Sequence, residues 1–383
     1  MFVNRGMCLN ARALKPCQKN ELGILMLMTP NRPTNSKFRV VDCDMHPEVP
    51  DTESLAPFMD GHWQDIMLQR DMVDFRTYNY PPKAPISARP DWRPVGGGKA
   101  AVSIDAVRRE LLDPFGIDIA ICNSLFGVQM LQTEDLGTVL ARAHNNYVAK
   151  TWLDEEERLR ASILIATQNP HAAAEEIERL ASDRRFVQVT MLVSQELPLG
   201  KKHFWPIYAA AERHGLPICV HAGSLFRYPL TPAGSTSFYF EDYASQSYAC
   251  QAQLVSLVAE GVFVKYPALR VVFAESGVSW LSGLCTRFDK FWHGLRLDIP
   301  WIKVLPSDIV RQHVRMTLQP LDCPDASTLE RMLEHVGSED FLLFSTDYPH
   351  WQFEGTDTLP PGLPAELIHK IKVDNPAKTY ERI

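Results

Sequence analysis

The chain of 383 residues is 45% hydrophobic, 22% charged and 10% aromatic, proportions that exclude a disordered, collagen-like or coiled-coil chain. Its 46 Asp and Glu outnumber 39 Lys and Arg for a net charge of −7, which argues against a nucleic-acid binder that works by neutralising phosphates. No apolar run approaches the ~20 residues that a membrane-spanning helix needs.

Taken in chain order, Arg5, Arg12, Lys15 and Lys19 precede a short apolar stretch at residues 22–28. A basic segment followed by an apolar one imitates a secretory signal, but the stretch is minimal and no small-residue cleavage site follows it. Residues 1–37 are therefore expected to be a disordered extension, or sequence upstream of a working start at Met26 or Met28.

From there, near-continuous apolar runs read as strands at residues 38–42, 117–121, 161–165, 186–191, 217–220, 269–274, 314–318 and 341–344. Such runs suit strands buried on both faces, as in a parallel sheet. Helical patterns lie between them. Leu136, Val139, Leu140, Ala143 and Tyr147 recur at helical spacing; Asn169-Pro170-His171 opens a helix through Leu180; residues 204–213 form another, stopped by His214-Gly215; Asp325-Ala326-Ser327 caps one running to His335. The alternation predicts an α/β fold, a (β/α)8 TIM-type barrel, with a doubly wound open sheet as the alternative. Two stretches break the rhythm: residues 47–112, with Tyr80-Pro81-Pro82 and Gly96-Gly97-Gly98, and the aromatic-rich residues 222–250. Both are expected as lid insertions, after strands 1 and 5, over the catalytic face of one domain spanning residues 38–383.

The eight cysteines, Cys8, Cys17, Cys43, Cys122, Cys219, Cys250, Cys285 and Cys323, form no C-x-x-C pair. Several sit in apolar runs, where a thiol behaves as a small hydrophobe. A reducing, cytoplasmic setting is expected. A redox role is not, because there is no Cys cluster and no G-x-G-x-x-G after a strand.

The chemistry-bearing residues fall at strand ends. Asp42-Cys43-Asp44-Met45-His46 closes the first strand, His221 the fifth, Glu275 the sixth and Asp347 the eighth, with His350 three residues further on. Asp44 and His46 are two apart and so point to one side of a strand. A single D-x-H or a lone rim His is commonplace. Four such strand ends in one chain predict convergence at the barrel mouth, where two carboxylates and two imidazoles could hold a divalent cation.

In these residues the chain resembles the amidohydrolase superfamily, in the branch typified by aminocarboxymuconate-semialdehyde decarboxylase. Asp42-Cys43-Asp44-Met45-His46 is similar to the branch's opening D-x-H-x-H. Phe204-Trp205-Pro206-Ile207-Tyr208 through Gly215-Leu216-Pro217 to His221-Ala222-Gly223 resembles its approach to the strand-five His. Tyr266-Pro267-Ala268-Leu269-Arg270 resembles its lead-in to strand six, Ser345-Thr346-Asp347-Tyr348-Pro349-His350 its strand-eight Asp, and Asn375-Pro376 to Tyr380 its carboxyl-terminal helix. The resemblance covers residues 38–383 and implies Asp44, His46, His221 and Asp347 as metal ligands. Strand four lacks the Lys that binuclear members use, so one divalent ion, Zn2+ or Mn2+, is implied. Two residues depart from the pattern. Asp44 replaces the first His, and Glu275-Ser276-Gly277 stands where decarboxylases of the branch carry His-Gly-Glu.

The expected function is that of a mononuclear metal-dependent hydrolase acting through a metal-activated water on a small aromatic or carboxylated substrate. Asp347 would be the base, and Glu275 or His350 the acid. The alternative for Glu275 is a partner that orients His221. Arg227 is a candidate to clamp a substrate carboxylate, with an ordinary loop cation as the alternative, and Tyr243 and Trp351 are candidates to wall an aromatic ring. Trp280 is expected to pack the following helix, and Asp42 to brace the strand-one turn. Two alternative functions stand beside this one: non-oxidative decarboxylation of an aromatic or muconate-type acid, and a non-catalytic degenerate barrel that binds a ligand. A small molecule is the expected partner, without nucleic acid or membrane, and a homodimer is compatible with the sequence.

Overall fold

The apolar runs fold as eight strands: β1 Val41–Met45, β2 Ile119–Cys122, β3 Leu159–Leu164, β4 Phe186–Leu192, β5 Ile218–His221, β6 Val271–Ala274, β7 Val314–Thr317 and β8 Leu342–Leu343. They belong to a computed structural model that describes residues 39–70, 72, 88–223, 229–351 and 358–383; the expected amino-terminal extension lies outside the described residues. All neighbours pair in parallel, in sequence order. The Cys43 N–H donates to the Phe344 carbonyl at 2.9 Å, His46 N–H to Tyr348 at 2.8 Å and Asp347 N–H to Asp44 at 3.1 Å. These bonds return β8 to β1. The sheet is a (β/α)8 barrel, and the open-sheet alternative is eliminated.

Two cores follow from strand alternation. Val41, Cys43, Ile119, Ile121, Val187, Val272 and Leu343 pack together with Tyr380. Intervening residues such as Ala120, Ile163, Val189, Val220, Phe273 and Met316 pack outward with the helices. The six described cysteines are buried and unpaired. Among the described residues no helix is long and apolar enough to cross a membrane.

The helices begin and end where local chemistry directs. The Asn169 side chain accepts from the Ala172 N–H at 3.1 Å to cap Pro170–Leu180, and Asp325 accepts from Thr328 at 2.8 Å to cap Ala326–Val336. Gly337, at φ 74°, stops the latter.

The bounds of one strand need correction. β1 is Val41–Met45 where residues 38–42 were expected; it continues past Asp42 because Asp42 and Asp44 are fully buried inside the strand and do not end it. The second half of the stretch expected as a lid after β5 is helix: Tyr239–Ala259 buries Asp242, Gln246, Ala249, Cys250, Gln253, Leu254 and Leu257 along one face. Polar residues within that stripe hide the helical period. In the insertion after β1, Thr52–Phe58, Gly61–Gln69 and Ile104–Val107 are short helical turns. Its residue 88 bridges to His350, and the Arg89 N–H donates to the Pro349 carbonyl at 2.8 Å, so this segment is tied to the chain just past β8.

Side chains complete the sheet where the ladder runs out. Asn145, buried on the helix Glu134–Val148, accepts from the Leu164 N–H and donates to the Leu164 carbonyl, both at 2.9 Å, and also donates to Glu176 at 2.8 Å. Asn145→Leu would leave those buried backbone groups unpaired, and each unsatisfied group costs ~1–3 kcal/mol. Urea unfolding should show a lower midpoint with an unchanged slope, whereas an unaltered midpoint would assign Asn145 no structural role.

Candidate metal centre

A bulge in the β1–β2 register between Asp42 and Met45 aims both Asp44 and His46 into the barrel mouth. Asp42 braces the turn as expected: its carboxylate accepts from the Asp44 N–H at 3.2 Å, the Thr346 N–H at 3.1 Å and the Thr346 hydroxyl at 2.6 Å. Burial pushes the Asp42 carboxyl up to about 7, against the pull of those hydrogen bonds.

Asp44 Oδ1 accepts from the Asn123 amide at 2.7 Å and lies 3.6 Å from His46 Nε2; Asp44 Oδ2 lies 3.4 Å from His221 Nε2. His46 Nδ1 bonds the Asn123 carbonyl and His221 Nδ1 the Ala222 carbonyl, each at 2.7 Å. A carbonyl only accepts, so each Nδ1 carries its proton and each Nε2 faces the mouth. Asp347 Oδ1 sits 2.8 Å from His46 Nε2 and 2.9 Å from His350 Nδ1. The His350 ring stacks on His46 at 4.4 Å. Glu275 places one oxygen 3.7 Å from His221 Nδ1 and the other 3.7 Å from His350 Nδ1.

Burial alone would raise the Asp44 and Asp347 carboxyls; the imidazoles of His221 and His46 outweigh it at Asp44, and those of His350 and His46 at Asp347, so both are held low. Burial opposes charge on His46, but Asp44 and Asp347 override it and push His46 up to about 10. At His350 burial prevails and the pKa falls. Glu275 is driven well upward by burial, with the Asp347 charge adding to it.

Both strand-end carboxylates stand on strained backbone, Glu275 at φ 55° and Asp347 at φ 60°. A non-glycine residue in that region costs ~1–3 kcal/mol and persists only when its surroundings hold it. The Thr317 hydroxyl accepts from the Glu275 N–H at 3.1 Å, and the Asp44 carbonyl accepts from the Asp347 N–H.

Three atoms at this centre are buried with no hydrogen-bond partner: Asp44 Oδ2, His221 Nε2 and Asp347 Oδ2. Buried polar atoms are seldom left so. Asp44, His46 and His221 each offer a donor within 4.8 Å of the others, and so do His46, Glu275, Asp347 and His350. Ligands sharing one cation at ~2.0–2.3 Å lie ~3–4 Å apart, and the Asp44 separations fall in that range. The residues present fit a divalent cation, and a set rich in carboxylate oxygen favours a hard one.

The remaining expected residues divide. Tyr243 and Trp351 come together at the rim, with rings 5.8 Å apart, and Tyr243 receives a hydrogen bond from Tyr239 at 3.1 Å. Trp280 donates to the Ser276 and Gly277 carbonyls and packs on Phe273, which is a structural role. Arg227 lies outside the described residues. Asn123 was not foreseen. Besides holding Asp44 and His46, it accepts on Oδ1 from Gln188 at 2.8 Å and from the Ser162 hydroxyl. Its signal was the same as at the other sites, a polar residue closing an apolar strand.

A family model described as amidohydrolase matches residues 41–382. A curated γ-resorcylate decarboxylase from Polaromonas sp. is 25% identical over 275 residues, 65% of this chain and 77% of that protein. The crystal structure of 5-carboxyvanillate decarboxylase from Sphingomonas paucimobilis superposes with a TM-score of 0.63 at 21% identity, covering 90% of this chain and 99% of that one. A dihydroxybenzoic acid decarboxylase from Polaromonas sp., solved with bound manganese and the inhibitor 2-nitroresorcinol, gives 0.61 at 19% identity, with coverage of 90% and 97%. At these identities the solved structures share the fold.

A ligand that binds only the native state raises its stability by mass action. Mn2+ should raise the melting temperature of the wild-type protein and not that of His221→Ala, while far-UV circular dichroism stays unchanged, because rim residues are not part of the barrel core. Equal stabilisation of both would remove His221 from the centre.

Proposed function

The chain belongs to the amidohydrolase family, and we propose that it is a metal-dependent decarboxylase of a hydroxylated aromatic acid. The observation that carries this reading is a buried cluster in which Asp44, His46 and His221 form one donor group and Asp347 joins it through His46, with three of its donor atoms unpartnered, in a chain with a curated relative that is a γ-resorcylate decarboxylase. The sequence alone leaned towards hydrolysis; the name of that relative tips the choice to the decarboxylase alternative. The carboxylate-rich donor set, together with the manganese bound by the Polaromonas enzyme, supports Mn2+ over Zn2+.

Asp44, His46, His221 and Asp347 would hold the ion. A bound divalent cation supplies positive charge that fixes substrate oxygens and stabilises negative charge developing on them. Asn123 and the Ala222 carbonyl set the orientation of the ligands, as outer partners of metal sites do. Tyr243 and Trp351 flank the ring. Glu275, buried between His221 and His350, delivers a proton to the ring carbon that bears the carboxylate. The bond from that carbon to the carboxylate then breaks, CO2 leaves, and the bonding pair stays with the ring. His350 lies within reach to return a proton to Glu275. The observation on the side of hydrolysis is Glu275 itself, standing where decarboxylases of the branch carry a His.

The Mn2+-loaded protein should release one CO2 per product from one or more of a panel of carboxylated phenols and cleave no amide. Amide cleavage without CO2 would return the assignment to hydrolysis. Glu275→Gln keeps shape but removes the proton. Metal content should stay near wild type while turnover falls ~10²–10⁴-fold, the range for losing a general acid. Retained turnover with metal affinity weakened ~10–100-fold would make Glu275 a brace for His221 instead.

A further inference from the structure

Beside the centre, and continuous with His46 and His350, lies a chamber of about 70 Å3 whose lining includes Ser124, Arg93, Lys99 and Glu48. A water-sized group needs ~10–15 Å3 of such space, so the chamber takes several non-hydrogen atoms. Arg93 donates to the Ala88 carbonyl at 2.9 Å; Lys99 donates to the Val49 carbonyl at 2.8 Å and stands 3.8 Å from Glu48.

Ser124 follows Asn123 at the end of β2 and is 6% exposed. Its hydroxyl lies 2.7 Å from Nε2 of His144, a 2% exposed residue on the helix Glu134–Val148 whose ring stacks on Phe126 at 5.3 Å. His144 Nδ1 is buried without a partner. Burial pushes the His144 pKa down to about 3, so the ring is neutral and carries one N–H. Placed on Nδ1, that proton would be an orphaned buried donor, the rarer kind of orphan. Placed on Nε2, it is donated to Ser124 Oγ, and the Ser124 proton turns away from His144. No hydrogen bond donated by Ser124 to another described residue is present.

We propose that Ser124 positions the substrate: its hydroxyl, held by the Nε2–H of His144, donates to a further oxygen substituent, carboxylate or phenolate, on the aromatic acid. The proposal rests on the decarboxylase reading for the aromatic ring, and it adds that the preferred acid carries an acceptor oxygen beyond the carboxylate and one adjacent hydroxyl.

Two measurements test it. In the zinc-loaded, diamagnetic protein, long-range proton–nitrogen NMR, with His144 assigned by its absence in His144→Gln, should find the Nε2–H tautomer. Finding Nδ1–H overturns the proposal. Calorimetric titration with 2,6-dihydroxybenzoate, 5-carboxyvanillate and 2-hydroxybenzoate, made with Glu275→Gln as the parent protein so that turnover is slowed, reads binding. Ser124→Ala should weaken one or both of the first two about 10–100-fold and change the third less than about two-fold. Ser124→Thr, which keeps the hydroxyl, should restore the difference. Equal loss on all three acids, no loss on any, or no binding of any to the parent overturns the assignment. Binding that depends on Ser124 when the wild-type protein releases no CO2 would sink the decarboxylase reading and leave Ser124 its role.

Discussion

The carboxylate of Asp42 is the junction on which the rest of the structure depends. It accepts from Asp44 on its own strand and twice from Thr346 on the far side of the sequence, so one buried group both closes the barrel and sets the two ends that carry Asp44 and Asp347. Without that closure, residues contributed by β1, β5, β6 and the turn after β8 would not face one another. Solvent competes poorly for a site this deep, which is why three hydrogen bonds to one carboxylate can hold a seam.

The centre built on that seam concentrates carboxyl groups. Asp44 and Asp347 are entirely buried and Glu275 nearly so, and two of the three stand at positive φ or beside it. Backbone strain and buried carboxyl groups with unpartnered oxygens in one place are uneconomical for a merely structural cluster, and they are the arrangement that a cation stabilises. Asn123 shows how tightly the surroundings are specified: one side chain and its carbonyl contact Asp44, His46, Ser162 and Gln188, where a Lys on β4 would have made a different site.

Much of this was legible in the sequence, for identifiable reasons. Strands buried on both faces write near-continuous apolar runs, so all eight were visible in order, and the polar residues ending them stood out against that background. β1 was displaced because its buried aspartates imitate a loop. The helix Tyr239–Ala259 was half hidden because Asp242, Gln246 and Gln253 occupy its inward face and blur the period. Asn123 carried the same signal, a polar residue closing β2, whereas the Ser124–His144 pair was illegible because its members lie 20 positions apart on different elements, which spacing alone does not reveal.

The closure of β8 on β1 also bears on how the molecule comes into being. Asp42 and Thr346 are separated by 304 positions, and ribosomes add ~5–20 residues per second, so β1 waits ~15–60 s for its partner. Throughout that interval a nascent chain carries an unpaired strand edge, an invitation to pair with other chains, and a buried-to-be carboxylate with nothing to neutralise it. The barrel therefore closes as a late event of biosynthesis, and guarding the first strand until then is a task for whatever meets the chain at the ribosome exit.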